Sequence, residues 1–378
     1  MSLIIKTEIL ILNIIYSLIK LFPQKNKIAI ISRQSDSPSM DICLLENKIN
    51  ELHPDYEVVV LCKTLKGNLF RKAGYLLHIL IQMYHMSTSQ AVILDSYCIA
   101  ASILKHKKTL LIVQMWHSVG TMKKFGYSIL DKEEGSSSKL AHLMKMHANY
   151  DYILVAGDGY RDHLSQGFNY SHDKIITLPL PRVELLKSRE YKAKKQIEIF
   201  ETYPILQSKK NILYVPTFRK ADDNAFVEAL TALCSSIDNN KYNLIIKPHP
   251  LTDLSNFSDE HALIDKKYSS FDMLFISDIV ISDYSCIMYE AAVLNKPIYL
   301  YTYDYDEYMR TRDIYMDYRS EVPGPICDTA EALSSAINQG NYDYEKLGRF
   351  LNKYVFMGSA HETEDIVNFI FDHKKTRF

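Results

Sequence analysis

From Lys27 onward, short β-branched apolar runs alternate with longer stretches whose apolar positions recur every three or four residues. The runs predict strands over Ile28–Ile31, Glu57–Leu61, Ala91–Leu94, Thr109–Val113 and Tyr152–Val155. Helical patterns fall between them at Asp41–Leu52, Phe70–His85 and Lys139–His147. Strands that alternate with helices imply a parallel sheet covered on both faces. The series pauses at Leu178–Glu184, where two prolines stop a strand and start a long charged helix. It resumes with strands predicted at Asn211–Val215, Asn243–Ile246, Asp278–Ile281 and Pro297–Tyr301. Two such series predict an α/β chain of two Rossmann-like domains with parallel sheets facing a central cleft, the GT-B-like arrangement. The expected division is 1–22, 23–181 and 182–378. In open α/β sheets ligands gather beyond the carboxyl ends of strands, so chemistry is sought just past each apolar run.

The first 22 residues differ from this alternation. Between Ile9 and Ile19 only Asn13 and Ser17 interrupt an apolar run. At helical spacing Lys6, Asn13, Ser17 and Lys20 share one narrow stripe and the rest of the cylinder is apolar. About 20 apolar residues are wanted for a span, so the segment is marginal for crossing. No small-residue cleavage site follows it. The favoured expectation is an amphipathic helix lying in a membrane interface. A helix packed on the protein's own surface and a single span are the alternatives.

With 378 residues, the chain suits two domains, and 47% hydrophobic with 24% charged residues is a globular composition. A net charge of −1 supplies no general attraction to nucleic acid, so any anion site has to be built locally. The six cysteines are scattered without a CxxC pair or metal-ligand spacing, which predicts reduced thiols. Asp304 and Asp306 lack the company of a dedicated metal site. No cofactor is called for by any motif, and no divalent-metal site is indicated.

Candidate chemistry follows the strand ends. The run Thr109–Val113 leads into Trp116-His117 and on to Lys123-Lys124-Phe125-Gly126. A histidine at a cleft mouth can take a proton from a hydroxyl near neutral pH, and the lysines can meet phosphate oxygens. Gly120 and Gly126 would let the backbone bend. A structural histidine in a turn is the plain alternative. The next unit offers Thr217 and Arg219 past one strand, and Lys247-Pro248-His249-Pro250 past another. Arg suits two-point contacts to phosphate, and the flanking prolines fix the direction of His249. A rigid surface turn would also explain them. Asp278–Glu290 ends a strand at Ser282-Asp283-Tyr284-Ser285 and starts a helical pattern at Cys286, with Glu290 one turn on. This is helix-capping chemistry, and equally an anion site for a diphosphate with Glu290 toward a ribose. Tyr301–Tyr318, carrying Arg310 and Arg312, is either a solvated segment or a loop gripping donor or acceptor.

In order and spacing, these segments resemble the CDP-glycerol:glycerophosphotransferase family of teichoic acid biosynthesis, from the Trp116-His117 loop through Leu213–Arg219, Lys247–Pro250 and Ser282–Ser285 to Asp304–Tyr318. The single catalytic unit and the WHxxGxxKKFG spacing resemble the primases of that family. Ser118 stands where many members carry Gly or Ala. The resemblance implies a CDP-donor site in the C-terminal half, with catalytic His117 and His249. Thr217, Arg219, Lys247, Ser282, Asp283, Ser285, Cys286 and Glu290 are the candidate donor contacts, and Lys123, Lys124, Arg310 and Arg312 the candidate phosphate or acceptor contacts.

The expected reaction moves glycerol phosphate or ribitol phosphate from CDP-glycerol or CDP-ribitol to a hydroxyl of a polyprenyl-diphosphate-linked saccharide or growing chain, with release of CMP. The expected partners are these substrates and a membrane surface, without nucleic acid, and the expected place is the cytoplasmic face of the cell membrane. A GT-B glycosyltransferase using a nucleotide sugar is the rival reading. A binding or regulatory protein that keeps the fold without activity is the other.

Overall fold

The computed structural model describes residues 2–65, 69–218, 224–255, 257–358 and 360–375. The described chain divides into two compact units, one of Met1–Ser118, Lys124–Glu184 and Gly358–Phe378, the other of Val119–Lys123 and Leu185–Met357. Each is built around one parallel sheet.

The first unit contains β1 (Lys27–Ser32), β2 (Glu57–Cys62), β3 (Ala91–Leu94), β4 (Leu111–Gln114), β5 (Tyr152–Val155) and β6 (Ile175–Thr177). Their order across the sheet is β2-β1-β3-β4-β5-β6. Strands β1, β3 and β4 are buried along their whole length, as a sheet covered on both faces requires. Helix Met40–Leu52 and the C-terminal helix Glu362–Asp372 pack over one face, joining Ile42, Leu45 and Ile49 to Ile366, Val367 and Ile370 in one core. The expected boundary put all of 182–378 in the second domain, whereas this last helix belongs to the first unit. Its amphipathic pattern identifies a helix and does not say which sheet it covers.

The second unit contains β7 (Lys210–Val215), β8 (Tyr242–Ile246), β9 (Ala262–Ile264), β10 (Ile279–Ser282), β11 (Ile298–Tyr301) and β12 (Ile326–Cys327), in the order β12-β11-β10-β7-β8-β9. Helices Asn224–Ser236 and Ala330–Gln339 cover one face through Phe226, Leu230, Leu233 and Leu333, Ile337. Each sheet thus has one place where the strand order reverses, between β1 and β3 and between β7 and β10. Ligands bind at such switch points in open α/β sheets.

Two local departures have clear causes. The expected helix at Lys139–His147 stops at Leu143, after which Lys145, His147 and Asn149 all take positive φ. Asn149 tolerates that conformation, and its amide donates to the carbonyls of Ala101, Ser102 and Leu104 at 2.9, 3.1 and 3.1 Å, closing the end of helix Ile99–Ile103. The N-terminal helix Ser2–Ile19 is long and apolar enough to cross a membrane. Asn13 and the following Lys20 dock on the protein: the Asn13 amide donates to the Ile103 carbonyl at 3.1 Å, its oxygen accepts from the Lys105 N–H at 3.0 Å, and Lys20 Nζ donates to the Lys105 carbonyl at 2.8 Å, while Lys6, Thr7, Glu8 and Ser17 are exposed. Tyr16 is fully buried, with its hydroxyl 3.0 Å from His106 Nδ1. Leu3, Ile4, Leu10, Ile11, Ile14 and Leu18 are left exposed. The helix therefore docks through Asn13 and Tyr16 and turns a row of apolar side chains outward.

Candidate active site

Strand β4 delivers His117 to the sheet's carboxyl end through a strained turn. Trp116 sits at φ 65°, a costly conformation for a bulky residue, and its N–H is held by the buried Gln114 side chain at 3.0 Å. The Trp116 ring lies against His117 and Phe125, at 4.3 and 4.5 Å between centroids. Gly126 has φ +57°, and a Cβ there would stand 2.2 Å from the Gly167 carbonyl oxygen. Only glycine fits at 126, as the sequence leads one to expect. Gly120 has no positive φ, so the other bend is made at Trp116.

The His117 Nδ1 lies 3.0 Å from the Asp95 backbone carbonyl. A carbonyl only accepts, so Nδ1 carries the proton and Nε2 keeps its lone pair. Burial, opposed by that hydrogen bond and reinforced by Arg182, holds the imidazole below its ordinary pKa. His117 is therefore a neutral ring with a basic Nε2. The loop carrying it is tied by Arg182, whose guanidinium donates to the His117 carbonyl at 3.3 Å and grips the buried Asp41 carboxylate from Nε at 2.9 Å and from Nη2 at 2.6 Å. The Arg182 N–H bonds the other Asp41 oxygen at 2.9 Å. Asp41 and Arg182, 141 residues apart, carry no motif that marks them as partners in the sequence.

In the second unit, the loops after β7 and β10 meet across the switch point. The Asp283 carboxylate is fully buried and accepts from the Thr217 N–H at 2.9 Å and from the Thr217 hydroxyl. Ser282 donates to the Val215 carbonyl at 3.0 Å. Lys247 pairs at 2.9 Å with the buried Asp265, which also accepts from Tyr203. Thr217, Ser282 and Asp283 thus tie the loops after β7 and β10 together, and Lys247 ties the end of β8 to the loop after β9. Helix Ile287–Val293 begins at Cys286, and the Ser285 hydroxyl accepts its Ile287 N–H at 3.4 Å. Glu290 is buried within that helix. Arg219 lies outside the described residues.

The His249 Nδ1 accepts the Leu251 N–H at 3.2 Å, so the proton of the neutral ring is on Nε2. Phe218 meets its edge at 5.4 Å. His249 is exposed and presents a donor where His117 presents an acceptor.

The Tyr301–Tyr318 stretch is packed, not solvated. Tyr308 stacks on Tyr284 at 3.6 Å, the Tyr284 hydroxyl donates to Asp304 at 3.2 Å, and the Tyr318 hydroxyl donates to the Asp283 carbonyl at 2.7 Å. Tyrosines here brace the loop after β10, which accounts for part of their abundance. Lys123 pairs with Ile314 in a bridge and lies over the Tyr308 ring, whereas Arg310 is exposed at the end of helix Tyr305–Thr311. Arg312 caps that helix, and Lys124 is half-buried in the first unit. Among the described residues no group of three His, Cys, Asp or Glu side chains is arranged to hold a metal.

A pair of Rossmann-like halves with a switch point each defines a GT-B-like α/β protein. The fold matches that of the wall teichoic acid polymerase TagF with a TM-score of 0.74 at 20% identity, over 99% of this chain and 97% of that one. The chain belongs to the CDP-Glycerol:Poly(glycerophosphate) glycerophosphotransferase family, which it matches over residues 14–372. It is 29% identical to the teichoic acid ribitol-phosphate primase of Bacillus spizizenii, over 92% of this chain and 91% of the relative. It is also 29% identical to the teichoic acid glycerol-phosphate primase of Bacillus subtilis, over 78% and 76%.

Proposed function

We propose that the chain transfers a polyol phosphate from CDP-glycerol or CDP-ribitol to a hydroxyl of a polyprenyl-diphosphate-linked saccharide or growing teichoic acid chain. His117 Nε2 takes the proton of the acceptor hydroxyl. That oxygen attacks the phosphorus bearing the polyol, the bond from this phosphorus to the bridging oxygen breaks, and CMP leaves with the bridging oxygen. His249 donates its Nε2–H to the charge gathering on the leaving phosphate. Thr217, Ser282, Asp283 and Lys247 hold the donor loops in place, while Arg219, Ser285, Cys286 and Glu290 are the donor contacts. Lys123, Lys124, Arg310 and Arg312 add positive charge for phosphate. Phosphoryl transfer needs positioning and charge neutralisation more than covalent help.

The single observation that carries this reading is the opposite protonation of the two imidazoles, an acceptor fixed by the Asp95 carbonyl and a donor fixed by the Leu251 N–H. The exposed apolar residues of Ser2–Ile19 support a peripheral position on a membrane, and the proposed place is its cytoplasmic face. The ribitol-phosphate primase aligns over nearly the whole chain, which makes CDP-ribitol the first donor to test. Purified enzyme with a lipid-linked disaccharide is expected to release CMP from CDP-ribitol or CDP-glycerol and nothing from UDP-GlcNAc. Release of UDP alone would replace this reading with a glycosyltransferase.

A further inference from the structure

The switch point of the first unit holds a group of polar side chains that the chemistry above leaves unused. Arg33 follows β1 directly, and its N–H bonds the Ser96 hydroxyl past β3 at 3.0 Å. Its guanidinium lies 5.4 Å from the Tyr97 ring centroid, and helix Leu69–Thr88 brings up Tyr75, His78 and Gln82. Tyr75 and His78 are 5.8 Å apart between ring centroids, and the Tyr75 hydroxyl is close to both Arg33 and Gln82. Arg33 Nε, Tyr75 OH, His78 Nε2, Gln82 Nε2 and Tyr97 OH are buried and reach no partner in good hydrogen-bonding geometry, the Tyr75 hydroxyl having only Arg33 and Gln82 nearby and the Tyr97 hydroxyl only Ser102. Tyr75, His78 and Gln82 are 2%, 7% and 0% exposed, whereas the Arg33 side chain is only half-buried and opens the group to solvent.

Each of these atoms can donate a hydrogen bond. Among the described residues no carboxylate pairs with Arg33. Burial pushes the nearby Asp95 carboxyl up toward its neutral form, and Lys63 adds a second positive charge next to His78. Buried donors round a guanidinium without a counter-charge are costly unless an anion completes them. The opposite side of the same helix exposes Leu76, Leu77, Ile81 and Tyr84. It runs on to the N-terminal helix, whose Ile19 carbonyl accepts the Ser87 hydroxyl at 3.1 Å and whose following Phe22 meets Tyr84 at 5.8 Å. One helix therefore carries an apolar outer side and an anion-seeking inner side.

We propose that Arg33, Tyr75, His78, Gln82 and Tyr97 form a pocket for the diphosphate of a lipid-linked acceptor, with the lipid chain following the exposed apolar side of the two helices. The proposal rests on the transfer reading for its choice of ligand, and the pocket's anion affinity is measurable without turnover. His117, whose Nδ1 bonds the Asp95 carbonyl one residue before Ser96, belongs to the same strand-end cluster, so a saccharide on that diphosphate would lie next to the base.

Calorimetry on the full chain tests this with three probes: inorganic pyrophosphate, a short-chain prenyl diphosphate carrying a disaccharide, and phosphatidylglycerol vesicles. The prenyl diphosphate is expected to bind more tightly than pyrophosphate. Arg33→Gln is expected to weaken both at least tenfold and Tyr97→Phe about threefold, with CDP-ribitol affinity unchanged. Arg33→Lys, which keeps the charge and loses the fork, should fall between and guards against misfolding of the Gln variant. Prenyl-diphosphate affinity within twofold of wild type in both Arg33→Lys and Tyr97→Phe would overturn the site. Equal affinity for pyrophosphate and the prenyl compound would overturn the lipid-linked ligand, as would competition by the vesicles alone. Arg33-dependent binding in an enzyme that releases no CMP with any acceptor would sink the transfer reading and leave the site standing.

Discussion

At the scale of single residues, the proposed proton transfer depends on which ring nitrogen of each histidine bears the proton. A depressed pKa keeps His117 neutral, hence basic, to lower pH than a free histidine. The acid limb of kcat/KM is therefore expected below about pH 6.5, activity being lost only as pH falls through the lowered value. An acid limb at or above pH 7 in a pH–rate profile would contradict this environment for the base. His147 and His106 bear on stability instead. Burial pulls them down to about 3 and about 4. Below about pH 6.5 the unfolded chain takes up protons that these folded rings refuse, so stability falls as pH drops from there toward 4. The histidines were visible in the sequence as residues just past apolar runs. Their tautomers were not, because each is fixed by a backbone group, the Asp95 carbonyl on another strand end for His117 and the Leu251 N–H in its own turn for His249, that only the folded backbone brings into place.

At the scale of elements, strand ends and helix starts aim the side chains, and the link that ties the His117 loop to a distant helix is Asp41 to Arg182. Asp41 sits in the first turn of helix Met40–Leu52, capped by Ser39, and Arg182 opens helix Arg182–Lys187 after Pro181. Asp41→Asn leaves the guanidinium without its counter-charge and loosens the hold on the His117 carbonyl. A stability loss of about 3 kcal/mol in urea unfolding is expected, with kcat reduced and donor affinity kept. An unaltered kcat would show that this link does not position the loop. The central strands were legible because runs of about four apolar residues rich in Ile and Val, such as Ile28–Ile31 and Ala91–Leu94, form a strong signal. The missed strands β6, β9 and β12 have only three, three and two residues. Partners so short are recruited by the sheet edge, not by their own pattern. The tyrosine-rich segment was ambiguous for another reason: its apolar surface is ring faces whose hydroxyls look polar in a pattern.

At the scale of the whole molecule, the sequence predicted the α/β class and the two parallel sheets. It did not show which way the N-terminal helix turns, since polar residues can face water, as Lys6 and Ser17 do, or dock onto carbonyls, as Asn13 and Lys20 do. Replacing Leu10, Ile14 and Leu18 by Ser removes three exposed apolar side chains. Vesicle binding in flotation assays is expected to fall at least tenfold while turnover on a water-soluble acceptor is kept. Unchanged flotation would mean that another surface meets the membrane. The role of His117 as base is tested by His117→Ala, assayed for CMP release from CDP-ribitol and CDP-glycerol alongside donor binding by calorimetry. CMP release is expected to fall by a factor of about 10² to 10⁴ with donor affinity retained. Turnover within a few fold of wild type would contradict that role.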